Sequence, residues 1–207
     1  MAKKVVEALP KIRRLAPPGV KVEVIADEST FIKAAVEDSM FDLLLGAILA
    51  VVIIAIFLRN LRMTLIAAVA IPTSVIGTFA FLHAVGFTLN LLTLLALSLS
   101  VGLLVDDAIV VLENIYRHVE HGEDRRSAAS SATSEIGLAV TATTFTLVAV
   151  FGPIATTGGI VGRFLKQFGL TVAAAVLISL FVSFTLTPML SARFVKVPKG
   201  NFLTRAV

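Results

Sequence analysis

Cysteine is absent from the 207 residues, which excludes disulfide staples, thiol chemistry and thiolate metal sites. Charge is scarce as well: Asp, Glu, Lys and Arg make up 15% of the chain, well below the quarter typical of a soluble domain. The charges gather in the first 42 residues and in short clusters between long apolar runs. Near the start no apolar run is found, since Lys3 and Lys4 are followed by Glu7, Pro10, Lys11, Arg13 and Arg14, where a signal peptide needs an unbroken apolar core. The formal charge of +4 could suggest nucleic acid. The bases, however, flank apolar runs and form no patch interleaved with aromatics, so no nucleic-acid partner is expected.

What is present is apolar: 57% of the residues, with a mean hydropathy of +0.95. Five runs stand out, near 39–58, 64–84, 90–113, 134–156 and 168–192. Each approaches the roughly 20 residues that a ~30 Å hydrocarbon core demands. The predicted fold is therefore an all-α membrane protein, a bundle of five transmembrane helices over 38–195. Residues 1–37 form a short soluble α/β remnant and 196–207 a tail. Within the remnant, Met1–Leu15 has helical spacing, Ala16–Gly19 breaks it, and Val20–Ile25 alternates like a short strand. Asp27–Thr30 is a helix start. Pro72, Pro153 and Pro188 lie inside or near the ends of three spans, where neighbouring helices or water can satisfy the freed carbonyls.

Loop charge predicts the orientation. Arg59, Arg62, Arg117, Arg125, Arg126, Arg193, Lys196, Lys199 and Arg205 fall on one side, and Lys21, Lys33, Arg163 and Lys166 on the other. The richer side should be cytoplasmic, with the N-terminal segment outside and the C-terminus inside.

The third run holds the most informative residues. Asp106 and Asp107 sit side by side within it, and a carboxylate at bilayer depth costs roughly 2.5–3.5 kcal/mol on insertion scales. Such groups must face protein or water, which makes a proton or cation site the default reading. Successive helical residues diverge by about 100°, so the two acids begin separate stripes. Asp106 shares its stripe with Gly102 and Glu113, and Asp107 shares its own with Ser100 and Asn114. Both stripes are expected to look into a bundle interior, and Gly102 would let another helix approach closely. Burial and a neighbouring carboxylate both disfavour the charged form, so the pair should titrate as one coupled unit. Glu113, Ser100 and Asn114 are candidates for the path by which protons reach it. No Lys or Arg lies within any of the five runs, so a basic partner must come from another helix set.

These residues carry a resemblance. Gly102-Leu-Leu-Val-Asp106-Asp107-Ala-Ile-Val-Val-Leu-Glu113-Asn114 closely resembles the fourth transmembrane helix of resistance–nodulation–division transporters, in their hydrophobe/amphiphile efflux branch. Phe57–Ile66 is similar to the family's short turn between helices two and three, and Ala70-Ile-Pro72 with Gly77-Thr-Phe79 to its third helix. Gly86–Asn90 resembles the turn into the fourth helix, and Leu186-Thr-Pro188 the end of the sixth. Pro18–Val20 and Asp27–Ser29 resemble the end of the porter domain. The likeness extends over residues 10–195.

It implies a homotrimeric pump of the bacterial inner membrane that exchanges protons for amphiphilic small molecules, with a periplasmic adaptor and an outer-membrane channel as partners and no cofactor. Asp106 and Asp107 take the place of the family's proton-relay acids. The first helix, the large periplasmic domains and the second half, which holds the basic relay partner, have no counterpart. On this reading the chain covers helices two to six, and such a fragment should lack active export by itself.

Other readings are weaker. A non-transporting or lipid-responsive helix module would not need paired acids. An intramembrane aspartyl protease needs carboxyls converging on one water, which neighbours diverging by about 100° do not do. Thr156–Arg163 is glycine-rich but lacks the Lys-Ser/Thr of a phosphate loop, and a flexible outer turn is expected. His118 and His121 lie among Arg117, Glu120, Glu123, Asp124, Arg125 and Arg126 with nothing to fix a metal geometry. A solvated helix pair is expected there.

Overall fold

Asn60 and Asn90 each follow a break in the apolar pattern, and each starts a helix by the same device. Asn60 Oδ1 accepts from the amides of Arg62 (3.1 Å) and Met63 (3.5 Å). Asn90 Oδ1 accepts from those of Leu92 (3.0 Å) and Thr93 (3.1 Å), while Thr93 Oγ1 accepts from the Asn90 amide at 2.9 Å, a reciprocal capping box. Asp124 Oδ2 accepts from the Arg126 amide at 3.2 Å. Ahead of the bundle, the Ser29 amide donates to Asp27 Oδ1 at 2.9 Å. The Ser29 hydroxyl and amide together hold the Asp27 carboxyl below the usual carboxylate range.

The computed structural model describes residues 2–15, 17, 19–24, 27 and 29–195. They form α1 (Ala2–Leu15), α2 (Ser29–Leu58), α3 (Leu61–Ala84), α4 (Leu91–Glu120), α5 (Arg125–Phe151), a 3-10 turn (Pro153–Thr156) and α6 (Gly159–Phe194). Five of these, α2 to α6, are long and apolar enough to cross a membrane. The predicted all-α membrane bundle is observed.

Two expectations need correction. Val20–Val24 is irregular chain, and no strand forms among the described residues. A lone segment has no ladder to satisfy its amides; here the Val20 amide donates to the Pro17 carbonyl at 3.1 Å and Arg13 Nε to the Val22 carbonyl at 3.0 Å. The glycine-rich stretch is also less of a loop than expected: Gly159 opens α6 with φ +77° and Gly162 lies in its first turn. The tail 196–207 lies outside the described residues.

The helices also outrun their apolar runs. α4 continues to Glu120 and α5 begins at Arg125, so the polar stretch after Glu113 is helical on both sides of a four-residue turn. A 30-residue helix such as α4 is about 45 Å long, half as long again as the hydrocarbon. Hydropathy registers only the part in lipid, whereas the caps determine where helices end. Pro153 acts in the opposite sense: α5 stops at Phe151, because proline brings no amide to continue the ladder.

The helices run alternately up and down, which leaves α4 and α6 parallel. The Asn90 side chain bonds Gln167 at one end, Ser179 Oγ donates to the Leu104 carbonyl midway (2.9 Å), and Arg125, just past α4, reaches the Arg193 carbonyl (3.4 Å) at the other. This pair is the axis of the bundle. Half of the most apolar stretch of α4 and 56% of that of α6 are buried, against 11% for α2 and for α5. Close packing rests on small residues, as membrane helices require. Ala70 and Ala108 meet Val182, and a Cβ added at Gly77 would lie 2.8 Å from Ile178 Cγ2. The α2–α3 turn, the α4–α5 turn and the end of α6 share one end of the bundle, which carries Arg59, Arg62, Arg117, Arg125, Arg126 and Arg193. We call it the Arg-rich end.

Candidate functional site

Asp106 and Asp107 stand in α4 between Ala108, which packs inside the bundle, and Gly102, which does not. The two carboxyls part company there. Asp107 is partly buried and turned towards α5, where Thr144 Oγ1 lies 3.4 Å from its Oδ2. Thr144 is itself buried and donates to its own Val140 carbonyl at 3.0 Å. A hydroxyl has one proton and two lone pairs. It can donate either to that carbonyl or to an ionised Asp107, and while donating to the carbonyl it can accept from a protonated Asp107.

Asp106 faces outward. It belongs to an exposed stripe of α4 that runs through Leu95, Leu99, Gly102, Val110 and Glu113. A Cβ at Gly102 would meet nothing within 4 Å, so no described helix uses the gap that this glycine leaves. Only one of the two polar stripes therefore looks into the interior, contrary to the expectation for both. The physical reason is that Asp107 lies at the edge of the buried face of α4, so that a step of about 100° carries Asp106 off that face and onto the exposed one. Neither aspartate has a basic partner among the described residues, where the ion pairs are Arg117–Glu135, His118–Glu123 and His118–Glu135.

Of the residues on the candidate path, Glu113 is exposed and borders a cavity of about 490 Å³ with Ile53, Phe57, Ile109 and Tyr116. It lies about 10 Å from Asp106 along the axis, towards the Arg-rich end. Ser100 is buried and donates to the Ala96 carbonyl at 2.6 Å. Asn114 is buried and its amide nitrogen is committed to α5, donating to the Ala132 carbonyl (2.9 Å) and Glu135 Oε2 (3.2 Å).

Around Asn114 the ends of α4 and α5 are tied by a cluster. His118 Nδ1 lies 2.9 Å from Glu123, His118 Nε2 lies 2.8 Å from Glu135, and Arg117 donates to Glu135 at 3.2 Å. Both imidazole nitrogens face carboxylates, a setting that only the doubly protonated ring satisfies. No group of His, Asp and Glu suited to a metal is found among the described residues.

Thr144 and Glu135 were not singled out by the sequence. Thr141, Thr143, Thr144 and Thr146 crowd one short stretch of α5. That is an interhelical-bonding signal, but nothing in it says which threonine meets an acid 37 residues away.

The AcrB/AcrD/AcrF family model matches residues 1–202. The chain belongs to this family of resistance–nodulation–division transporters. Membership supports an efflux-transporter role and agrees with a protein that is not an enzyme. The exposed acid and the half-enclosed acid of α4 are then features of a transporter's membrane domain.

Proposed function

We propose that α4 carries the proton-relay carboxylates of a proton-coupled efflux transporter. The single observation behind this reading is a pair of mid-span acids whose surroundings differ. Asp107 has a hydroxyl partner that can serve it with or without its proton, whereas Asp106 lies on a face that this bundle leaves uncovered. A second helix set bearing a Lys or Arg would cover Asp106 and complete the relay, with Gly102 as its point of close approach. Each proton moved through 100 mV yields about 2.3 kcal/mol, enough to sustain an uphill gradient of amphiphilic small molecules. Glu113 leads protons away from Asp106 towards the Arg-rich end.

The excess of bases at that end supports a cytoplasmic assignment for it, with the N-terminal segment in the periplasm; the bacterial inner membrane is the membrane that the family resemblance supports. In the whole pump the helices belong to a homotrimer working with a periplasmic adaptor and an outer-membrane channel. The five helices alone do not export.

The test is made in the complete pump. Asp106→Asn and Asp107→Asn should each abolish export while trimer assembly and membrane insertion stay intact. Export at the native rate in either variant removes the proposal. Intramembrane proteolysis fits less well, because that chemistry needs carboxyls converging on one water, whereas Asp107 turns to Thr144 on α5 and Asp106 lies on the exposed face of α4.

A further inference from the structure

We propose that the groove between α3 and α6 at the Arg-rich end binds one anionic phospholipid, a site independent of the proton-relay reading. The groove encloses about 550 Å³. Arg62, the second residue of α3, and Arg193, the penultimate residue of α6, stand at its mouth. Its wall is apolar, formed by Leu65, Val69, Leu190 and Phe194. From Arg62 to Val69 the wall descends about 10 Å towards the midplane. Leu65, Val69 and Phe194 are 57%, 46% and 53% exposed, which leaves room for acyl chains beneath the two guanidinium groups.

Charge selects the occupant. Among the described residues neither arginine has a carboxylate within 4 Å, because the ion pairs there involve only Arg117 and His118 as cations. Residues 196–207 contain Lys196, Lys199 and Arg205 and no Asp or Glu, so they offer the two arginines no side-chain anion. A guanidinium grips phosphate oxygens with two parallel N–H donors, and two of them around one headgroup favour a phosphodiester that carries no compensating cation. Phosphatidylcholine brings its own positive charge to the same place, whereas phosphatidylglycerol does not. Basic pockets between membrane helices commonly hold anionic headgroups for this reason.

The chain contains no tryptophan, so a single introduced one is a clean reporter. Leu65→Trp places it in the groove. Phe57→Trp, on α2 at the same end and 82% exposed, is the matched position outside it. Each variant of the full chain is reconstituted in vesicles of phosphatidylglycerol and phosphatidylcholine at equal mole fraction, with one or the other brominated. At position 65, brominated phosphatidylglycerol should quench with an apparent association about fivefold stronger than brominated phosphatidylcholine, while at position 57 the two should quench alike. Adding Arg62→Gln and Arg193→Gln to Leu65→Trp should erase the preference, and Arg62→Lys with Arg193→Lys should keep most of it. Equal quenching by the two lipids at position 65, the same preference at position 57, or a preference that survives the glutamine pair overturns the proposal. The comparison of positions 65 and 57 keeps both native arginines, so it decides the matter even where the glutamine variant does not insert.

Discussion

The two faces of α4 begin from the same chemistry and end in different worlds. On one, Asp107, Ala108 and Val111 meet α5 and α6, with Ala108 2% and Val111 0% exposed. On the other, Asp106, Gly102 and Val110 are exposed, Val110 to 46%, and a Cβ at Gly102 would meet nothing within 4 Å. An acid on the inner face is constrained by neighbours that this chain supplies. An acid on the outer face has no such constraint from the described helices. An adjacent pair of acids can thus be split by a rotation of one residue, so that one member faces the bundle and the other the exposed side of the helix.

The sharpest way to break this comparison is to neutralise each acid in the complete pump. Asp106→Asn or Asp107→Asn should collapse the steady-state drug gradient by the amount one proton supports, about 50-fold at 100 mV, measured by substrate accumulation in cells or proteoliposomes. A second contrast concerns packing. Ala108→Leu on the inner face should lower the stability of the reconstituted chain by about 1–3 kcal/mol, read by SDS denaturation in mixed micelles. Gly102→Ala on the outer face should stay within about 0.5 kcal/mol, yet impair export in the pump by obstructing the approach of the covering helix. If the alanine at 102 destabilised the five-helix chain as much as the leucine at 108, the two faces would not differ as described.

Smaller effects sharpen the picture. Thr144→Val should slow export several-fold, a loss on the scale of one hydrogen bond of about 1 kcal/mol. It should also move the infrared band of the protonated Asp107 carboxyl, and Thr144→Ser should restore both. A band unmoved by valine would remove Thr144 from the relay. The smallest change belongs to the exposed tie at the helix ends. In a double-mutant cycle, Arg117→Gln and Glu135→Gln should couple by no more than about 1 kcal/mol, since both side chains are more than half exposed.

Much of this architecture could be read along the chain. Five apolar runs of membrane length, the residues that end them and the adjacent acids in the third run are local properties, set by hydropathy, capping chemistry and 3.6-residue periodicity. The helices outlasted their apolar runs because a capped polar stretch such as Asp124–Ser131 is helical without being lipid-soluble. Val20–Val24 alternates like a strand but lacks the partner that would make it one. A pattern of residues constrains what a segment can bury, and a strand also depends on a second segment elsewhere.

By itself the sequence determined that Asp106 and Asp107 diverge by about 100° on a membrane helix, because that follows from the pitch alone. Only the tertiary structure decided that Asp107 turns to Thr144, that Asp106 turns away, and that Arg62 and Arg193, 131 residues apart, border one groove. Each of those outcomes depends on how α3, α4, α5 and α6 pack. Packing between helices is a contest among distant side chains such as Gly77 and Ile178, and its result is written in no single stretch of chain.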